Sequence, residues 1–498
     1  MLTRLRVSGF KNLVDVDLRF GPFTCIAGAN GVGKSNLLDA IAFLSALADR
    51  PLIDAAMSVR DEEGRTGDIA SIFHRVGDQQ DPEMAFEAEM IVPREGIDDL
   101  GQAATASITF LKYKLVLGHR RDEGRRALGG IELLHEELSH VKIREAKQHL
   151  KFRHDNAWLR SAVSGQRRTP WFISTDMENG ARVIRIHQDG GSSGKPRPLL
   201  AANLPRTAVS AANAAESPTA MLVKREMQSW RRLQLEPSAL RKPDSFNAPS
   251  KMGPDGAHLP ATMHELARVS SQDGGDTQSG SERIYSQLAN RLSELIDDVY
   301  LIKVDRDEKR ELLTLQVCGR DGTMHPARAL SDGTLRFLAL AVIELDPEFH
   351  GVLCLEEPEN GIHPARIPAM LRLIQDIATD PFSPVGPDNP LRQVIVNTHS
   401  PAVVAQVPEG SLVMAEAKNV SRDGHIFKKL SFSCLPGTWR AATKEMNLIS
   451  KGELLSYLNP VLSEPEELLL SSERLEPQRK RVIDRDEFQS SFRFGGQV

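Results

Sequence analysis

The sequence predicts an α/β fold: a core of buried strands around a glycine-rich strand-to-helix turn, an antiparallel sheet at the N-terminus, and an inserted, mainly helical lobe. Three observations carry that expectation. Residues 2–20 alternate apolar and polar side chains with a period of two. A five-residue apolar run then ends in glycines and gives way to a helical period. Two later apolar runs, 352–355 and 394–396, each end in a cluster of polar side chains.

Taken in order, Leu5 and Val7 alternate with Arg4, Arg6 and Ser8, and Val14, Val16, Leu18 and Phe20 with Asp15, Asp17 and Arg19. This is the pattern of a half-buried antiparallel pair, joined by 9–13. Phe23–Ala27 is a short apolar run, as a strand covered on both faces requires. From Lys34 the period lengthens, placing Leu37, Leu38, Ile41, Leu44 and Leu47 on one helix face. Alternation resumes at Met84, Phe86, Ala88 and Met90, and again at Leu111, Tyr113, Leu115 and Leu117. The interval 131–299 reads as helices broken by turns; its clearest helix starts near Glu282, with Ile284, Leu288, Leu292, Leu295, Ile296 and Val299 on one face. Strand texture returns at 301–304 and 313–317, before a turn signal at 319–322. The expected organisation is a discontinuous domain from 1–130 and 300–435, an inserted lobe 131–299, and a C-terminal extension 436–498 whose charged end is expected to be disordered.

Bulk properties narrow the function. Net charge is −5 over 498 residues, so any attraction for nucleic acid must be local. Aromatic residues make up only 5%, which argues against a platform that stacks single-stranded bases. Cys25, Cys318, Cys354 and Cys434 form no CxxC pair, which argues against a zinc site or disulfide framework. No apolar run approaches the roughly 20 residues that span a bilayer, and Arg4, Arg6 and Lys11 punctuate the start, so a cytoplasmic protein with no membrane association is expected.

The chemistry concentrates in four places. Gly28-Ala29-Asn30-Gly31-Val32-Gly33-Lys34-Ser35 fits G-x-x-x-x-G-K-[ST] between a buried strand and an amphipathic helix, the context in which that pattern cradles phosphate. Its glycines let successive N–H groups face one centre, the helix adds the positive end of its dipole, Lys34 can reach the β- and γ-phosphates, and Ser35 can ligate Mg²⁺. Run 352–355 ends in Glu356-Glu357-Pro358-Glu359, where one carboxylate can orient the metal and the next can accept a proton from water; we assign Glu356 to the first task and Glu357 to the second. Ser331-Asp332-Gly333-Thr334 opens an apolar helix and can form a second anion site, although an N-capped core helix would read the same way. Run 394–396 ends in Asn397-Thr398-His399-Ser400-Pro401; a histidine there can meet a γ-phosphate or the attacking water, or serve structure alone.

In their order along the chain, these four elements resemble the Walker A, signature, Walker B with D-loop, and switch-histidine elements of ABC-type ATPases. Ser8-Gly9-Phe10-Lys11-Asn12-Leu13 and the run Glu357-Pro358-Glu359-Asn360-Gly361-Ile362-His363-Pro364 resemble the RecF/SMC/OLD-like branch in particular, without the TOPRIM nuclease domain. The resemblance implies an ABC-ATPase-like P-loop core that binds ATP and Mg²⁺. Gly28, Asn30, Gly31, Gly33, Lys34, Ser35 and Asn36 would surround the nucleotide, with Lys11 and Asn12 close by. Ser35 and Glu356 would hold the metal, and Glu357 and His399 would act in hydrolysis. It also implies a head-to-tail homodimer in which Ser331 and Gly333 of one subunit complete the other's site. Two departures stand out: the usual Walker B aspartate is Glu356, and no glutamine-loop residue sits cleanly at a strand end, Gln79 and Gln80 included.

The spacing separates this chain from its rivals. Transport ATPases have a much shorter interval between Ser35 and Leu330, and SMC arms would need heptads that Pro170, Pro205, Pro237, Pro254 and Pro260 interrupt. After His399 there is no convincing Glu plus Asp-x-Asp arrangement, so no nuclease activity is expected in this chain. The expectation is an ATP-gated dimer that controls a separate effector, such as a nuclease or toxin, in genome defence or DNA maintenance. A DNA-stimulated clamp of the RecF type and a nucleotide-switched scaffold without nucleic-acid contact are the alternatives. Lys142, Arg144, Lys147, Lys151, Arg153, Arg160, Arg167 and Arg168 make 141–168 the candidate DNA surface, or an ordinary solvated face.

Overall fold

Helix Lys34–Leu47 is buried along most of its length because it lies between two sheets. On one side is an eight-stranded antiparallel sheet, in the order Arg197–Leu200, Ala181–Ile186, Trp171–Glu178, Gly130–His140, Phe110–Arg120, Glu83–Ile91, Leu2–Ser8, Val16–Arg19. On the other is a seven-stranded sheet, in the order Arg231–Leu233, Gly351–Glu356, Arg392–Thr398, Phe23–Ala27, Leu412–Arg422, His425–Cys434, Asn447–Leu448. This computed structural model describes residues 1–59, 69–120, 130–189, 195–273, 277–422, 424–443 and 446–458. Residues 1–458 form one compact unit. The charged end of the C-terminal extension, 459–498, lies outside the described residues.

The first five strands of the seven-stranded sheet run parallel. Their unbroken apolar character follows from burial on both faces. Ile26, Val352, Cys354 and Ile395 point into the core shared with helix Lys34–Leu47. Phe23, Cys25, Leu353, Leu355, Val394 and Val396 point into a second core with helices Asp332–Leu345 and Ile367–Ile377. Each fully buried Leu or Phe contributes roughly 1.5–3 kcal/mol, so the edge of this sheet that carries the polar clusters rests on a rigid base. All four cysteines are buried and unbonded.

The interval 131–299, expected to be mainly helical, begins as sheet. Gly130–His140, Trp171–Glu178, Ala181–Ile186 and Arg197–Leu200 extend the antiparallel sheet, each pairing with the next. Their apolar alternation is weak because the outer strands are covered only in part, as in Trp171–Glu178, where every position except Phe172 and Ile173 is exposed or half-exposed. Helices dominate only from Pro218–Gln228 onward, with Leu259–Asp273 and Thr277–Ser293 paired. Val299, placed by its spacing on a helix face, instead starts strand Val299–Asp307, whose partner is Leu312–Gly319. Asn447–Leu448, in the extension, adds a short parallel strand. No helix among the described residues is long and apolar enough to cross a membrane.

Candidate functional site

Three parallel strands bring their C-terminal ends to one edge. Phe23–Ala27 ends in the glycine loop, Gly351–Glu356 in the acidic cluster, and Arg392–Thr398, lying between them, in His399. This is where open α/β sheets present ligand-binding side chains.

The loop 28–33 turns through Gly31 (φ 77°) and Gly33 (φ 104°), left-handed values that a Cβ resists. At Gly33 a Cβ would also stand 2.1 Å from Nδ2 of Asn12. Asn12 donates to Val32 O at 3.0 Å and accepts from Asn36 Nδ2 at 2.7 Å, so Asn12 and Asn36 brace the loop from outside it. Asn12 is fixed by its neighbour Phe10, whose ring packs 5.7 Å from Phe43 and 5.6 Å from Phe86. Asn30 and Gly31 are exposed at the mouth of the loop, while Gly28 donates its N–H to Thr398 O at 3.1 Å. Lys34 is buried, and its ammonium donates to the carbonyls of Gly28 (2.7 Å) and Ala29 (2.9 Å). Burial pulls its pKa below the usual lysine value, and Glu357, Glu356 and Glu359 oppose that shift. Ser35 is half-buried in the first turn of the helix, which carries its positive dipole end to the loop.

The acidic loop and the histidine loop interlock. Glu357 adopts φ 45°, and its N–H donates to both O and Oδ1 of Asn397, each at 3.1 Å. Its carboxylate accepts from Asn360 Nδ2 at 2.9 Å and lies 2.6 Å from His399 Nδ1. Partial burial pushes the Glu357 carboxyl up, but the hydrogen bonds from Asn360 and His399 and the charges of His399 and Lys34 outweigh it, holding the group below the usual glutamate value. Glu359 behaves oppositely: burial raises it, against a hydrogen bond from the Thr398 hydroxyl. Thr398 Oγ1 in turn accepts from Ser400 N at 2.9 Å, which fixes the backbone on both sides of His399.

Glu356 has a different partner. Its Oε1 is buried and accepts no hydrogen bond among the described residues, yet Arg232 Nη2 stands 3.0 Å away, an ion pair without hydrogen-bond alignment. Arg232 also bonds Asp39 at 2.8 Å, and Lys11 bonds the other oxygen of Asp39 at 2.7 Å. Lys11 is thus tied to Asp39 of the helix that follows the loop.

Ser331 caps helix Asp332–Leu345, accepting from Thr334 N at 3.2 Å. Gly333 is required by close packing, since a Cβ there would lie 2.3 Å from Gly361 O. Arg336 ties the same helix to Asn360 O at 2.7 Å and to Leu235 O at 3.2 Å. Within one chain, then, Ser331 and Gly333 are set against the loop after the acidic cluster, whereas Lys34, Glu357 and His399 are gathered at the strand ends.

Sequence reasoning missed several residues here. Gln79 and Gln80 lie on a two-stranded hairpin with Arg75–Val76. Gln234 instead follows strand Arg231–Leu233, at the edge beside Gly351–Glu356, and lines a cleft of about 180 Å³ with Arg336, Glu356, Glu357 and Asn360. Asp39 was also missed; the signal available was an acid one turn beyond Ser35 in an otherwise apolar helix segment.

Comparison with known proteins agrees with this arrangement. Residues 23–98 and 272–405 match the family model described as "AAA domain, putative AbiEii toxin, Type IV TA system". An OLD nuclease of Thermus scotoductus is 54% identical over 41 residues, 8% of this chain and 8% of that protein. A DNA replication and repair protein RecF of Porphyromonas gingivalis is 39% identical over 64 residues, 13% of this chain and 18% of the relative. The chain thus covers less than a fifth of either relative's length. An SMC head bound to the C-winged helix domain of ScpA aligns over 87% of this chain and 98% of its own, at 14% identity and a TM-score of 0.45. The glycine loop, capped helix, acidic strand end and histidine in that order, with the histidine strand between the other two, and these partial matches support an ABC-type ATPase of the RecF/SMC/OLD branch.

Proposed function

We propose that this chain binds ATP with Mg²⁺ at loop 28–35 and hydrolyses it with Glu357, and that ATP closes two copies head to tail. The observation that carries this reading is the Glu357 pair with His399 just beyond the ends of adjacent parallel strands, beside a loop lysine whose ammonium rests on loop carbonyls. The residues suit the nucleotide and its metal. Lys34 carries an ammonium that a phosphate oxygen can draw from the carbonyls of Gly28 and Ala29, Gly31 has open space around its Cα, and Glu356 keeps an unbonded buried oxygen. Ser35 and Glu356 would hold Mg²⁺, which neutralises triphosphate charge when bound.

The chain's own groups then divide the work. Lys34 binds the β- and γ-phosphates, and the loop N–H groups orient them. Glu357, held ionised, takes the proton of the attacking water at its carboxylate, while His399 orients that carboxylate and faces the γ-phosphate. Ser331 and Gly333 of a second copy supply the opposing hydroxyl and N–H donors. Closure then follows from differential affinity, because ATP bridges two copies and hydrolysis removes the bridge. On this reading the ATPase gates a separate effector; the matched family's description places that family in a toxin–antitoxin system. Native mass measures closure directly. Glu357→Gln with ATP and Mg²⁺ is expected to run at twice the 55.0 kDa chain, and adding Ser331→Arg is expected to return it to a monomer. A double variant that still dimerises contradicts the shared site.

A specific surface favours a second reading, a DNA-stimulated clamp. Val141, Ala146, Leu150, Phe152, Trp158 and Ala162 anchor residues 141–168 in a core, leaving Lys142, Arg144, Lys147, Lys151, Arg153, Arg160 and Arg168 exposed. Arg167 is set apart from them, stacked 4.2 Å over Phe172 and paired with Asp189 at 3.7 Å. If this face binds a phosphate backbone, duplex DNA stimulates ATP turnover, and the stimulation falls with a log–log salt slope of roughly −0.9 per phosphate contact. Exchanging Lys147, Lys151 and Arg153 for glutamate is expected to abolish the stimulation and spare basal turnover. Stimulation that survives the exchange, or none in the parent protein, removes DNA from the account.

A further inference from the structure

Glu356, Glu357 and Glu359 place three carboxylates within four residues at a half-buried strand end. Such a cluster needs nearby positive charge, since a buried carboxylate without a partner is strongly disfavoured. Lys34 lies close enough to interact with all three. For Glu356 the immediate partner is Arg232, which arrives from the edge strand in register with Cys354.

Two details of Arg232 are not those of a permanent structural pair. Its contact with Glu356 lacks hydrogen-bond alignment, and its Nε is buried with no acceptor among the described residues. Its firmer contact is with Asp39, at 2.8 Å on helix Lys34–Leu47, one turn beyond Ser35. The guanidinium therefore bridges the helix bearing Ser35 and the strand bearing Glu356, the two residues assigned above to Mg²⁺. A divalent cation shared by those residues carries twice the charge of the guanidinium and repels it at short range.

We propose that Arg232 is a placeholder cation for Mg²⁺ at Glu356, a positioning residue that pairs the carboxylate until the metal displaces it and that then remains anchored on Asp39. The proposal rests on the reading of Glu356 as the metal-orienting acid. It makes metal entry a competition, so that neutralising Arg232 strengthens metal binding. A purely structural bridge would lead to the opposite, since loosening the site would weaken it.

The test titrates Mn²⁺ into the full chain loaded with one equivalent of a non-hydrolysable ATP analogue, reading free Mn²⁺ by electron paramagnetic resonance. Arg232→Gln is expected to bind Mn²⁺ about tenfold more tightly than the parent, equivalent to about 1.4 kcal/mol. Arg232→Lys, which keeps the competing charge, is expected to bind like the parent, and Glu356→Gln to bind more weakly. Unchanged or weaker binding by Arg232→Gln, alongside weakened Glu356→Gln, overturns the placeholder role and leaves the metal assignment standing. Binding unaffected by Glu356→Gln overturns the metal assignment itself. Arg232→Met carries the same expectation should glutamine disturb folding. A separate readout needs no metal: the melting temperature of the metal-free chain is expected to fall in Arg232→Gln and Arg232→Met but hold in Arg232→Lys. An unchanged melting temperature in both neutral variants contradicts the pairing.

Discussion

Glu357→Gln is expected to lower ATP turnover by about 10²–10⁴-fold, the range in which a positioned proton acceptor acts, while nucleotide affinity is retained. The substitution keeps the shape of the side chain and its backbone bonds to Asn397, so the loop should stay in place. What it removes is the negative charge that Asn360, His399 and Lys34 together hold in its ionised form. A glutamine at this position accepts no proton at neutral pH. Phosphate release measured beside calorimetric binding separates the two effects. Parent-like turnover in the variant would remove Glu357 from the chemistry, and lost binding would point to a collapsed loop.

Lys34→Ala is expected to act on affinity instead. The ammonium is buried, so a phosphate that meets it does so with little competing water, and removing such a partner costs about 2–5 kcal/mol. That corresponds to a loss of a few tens to a few thousandfold in ATP affinity. The carbonyls of Gly28 and Ala29 would also lose their shared donor, so a modest fall in melting temperature should accompany the loss. Calorimetry with ATP and Mg²⁺ measures it, and undiminished affinity contradicts the phosphate assignment.

Legibility in the sequence followed the distance over which each feature is built. The strand, glycine loop and helix of 23–47 are contiguous, and their chemistry depends on neighbours in the chain, so spacing alone described them. The acidic and histidine strand ends were readable for a similar reason: strands buried on both faces are apolar runs, and a polar cluster at the end of such a run is conspicuous. By contrast, Asp39 draws its partners from 28 and 193 positions away, and nothing local marks them. Strand Arg231–Leu233 has three residues, of which only Leu233 is buried. That is too short to show a period, so Gln234 at its end had no visible setting. Likewise, the outer strands between 171 and 200 are half-exposed and carry little alternation, and the segment read as turns and helices. Gly333 was readable as a helix-start glycine, but its packing against Gly361 depends on a loop far along the chain.

Most directly, the account stands on phosphate release from ATP by the purified full chain, followed with Mg²⁺ present and again after EDTA. Sustained release that EDTA abolishes is the predicted result. No release, or release indifferent to EDTA, would contradict a hydrolytic site built from the loop at 28–35 and the acids at 356–357.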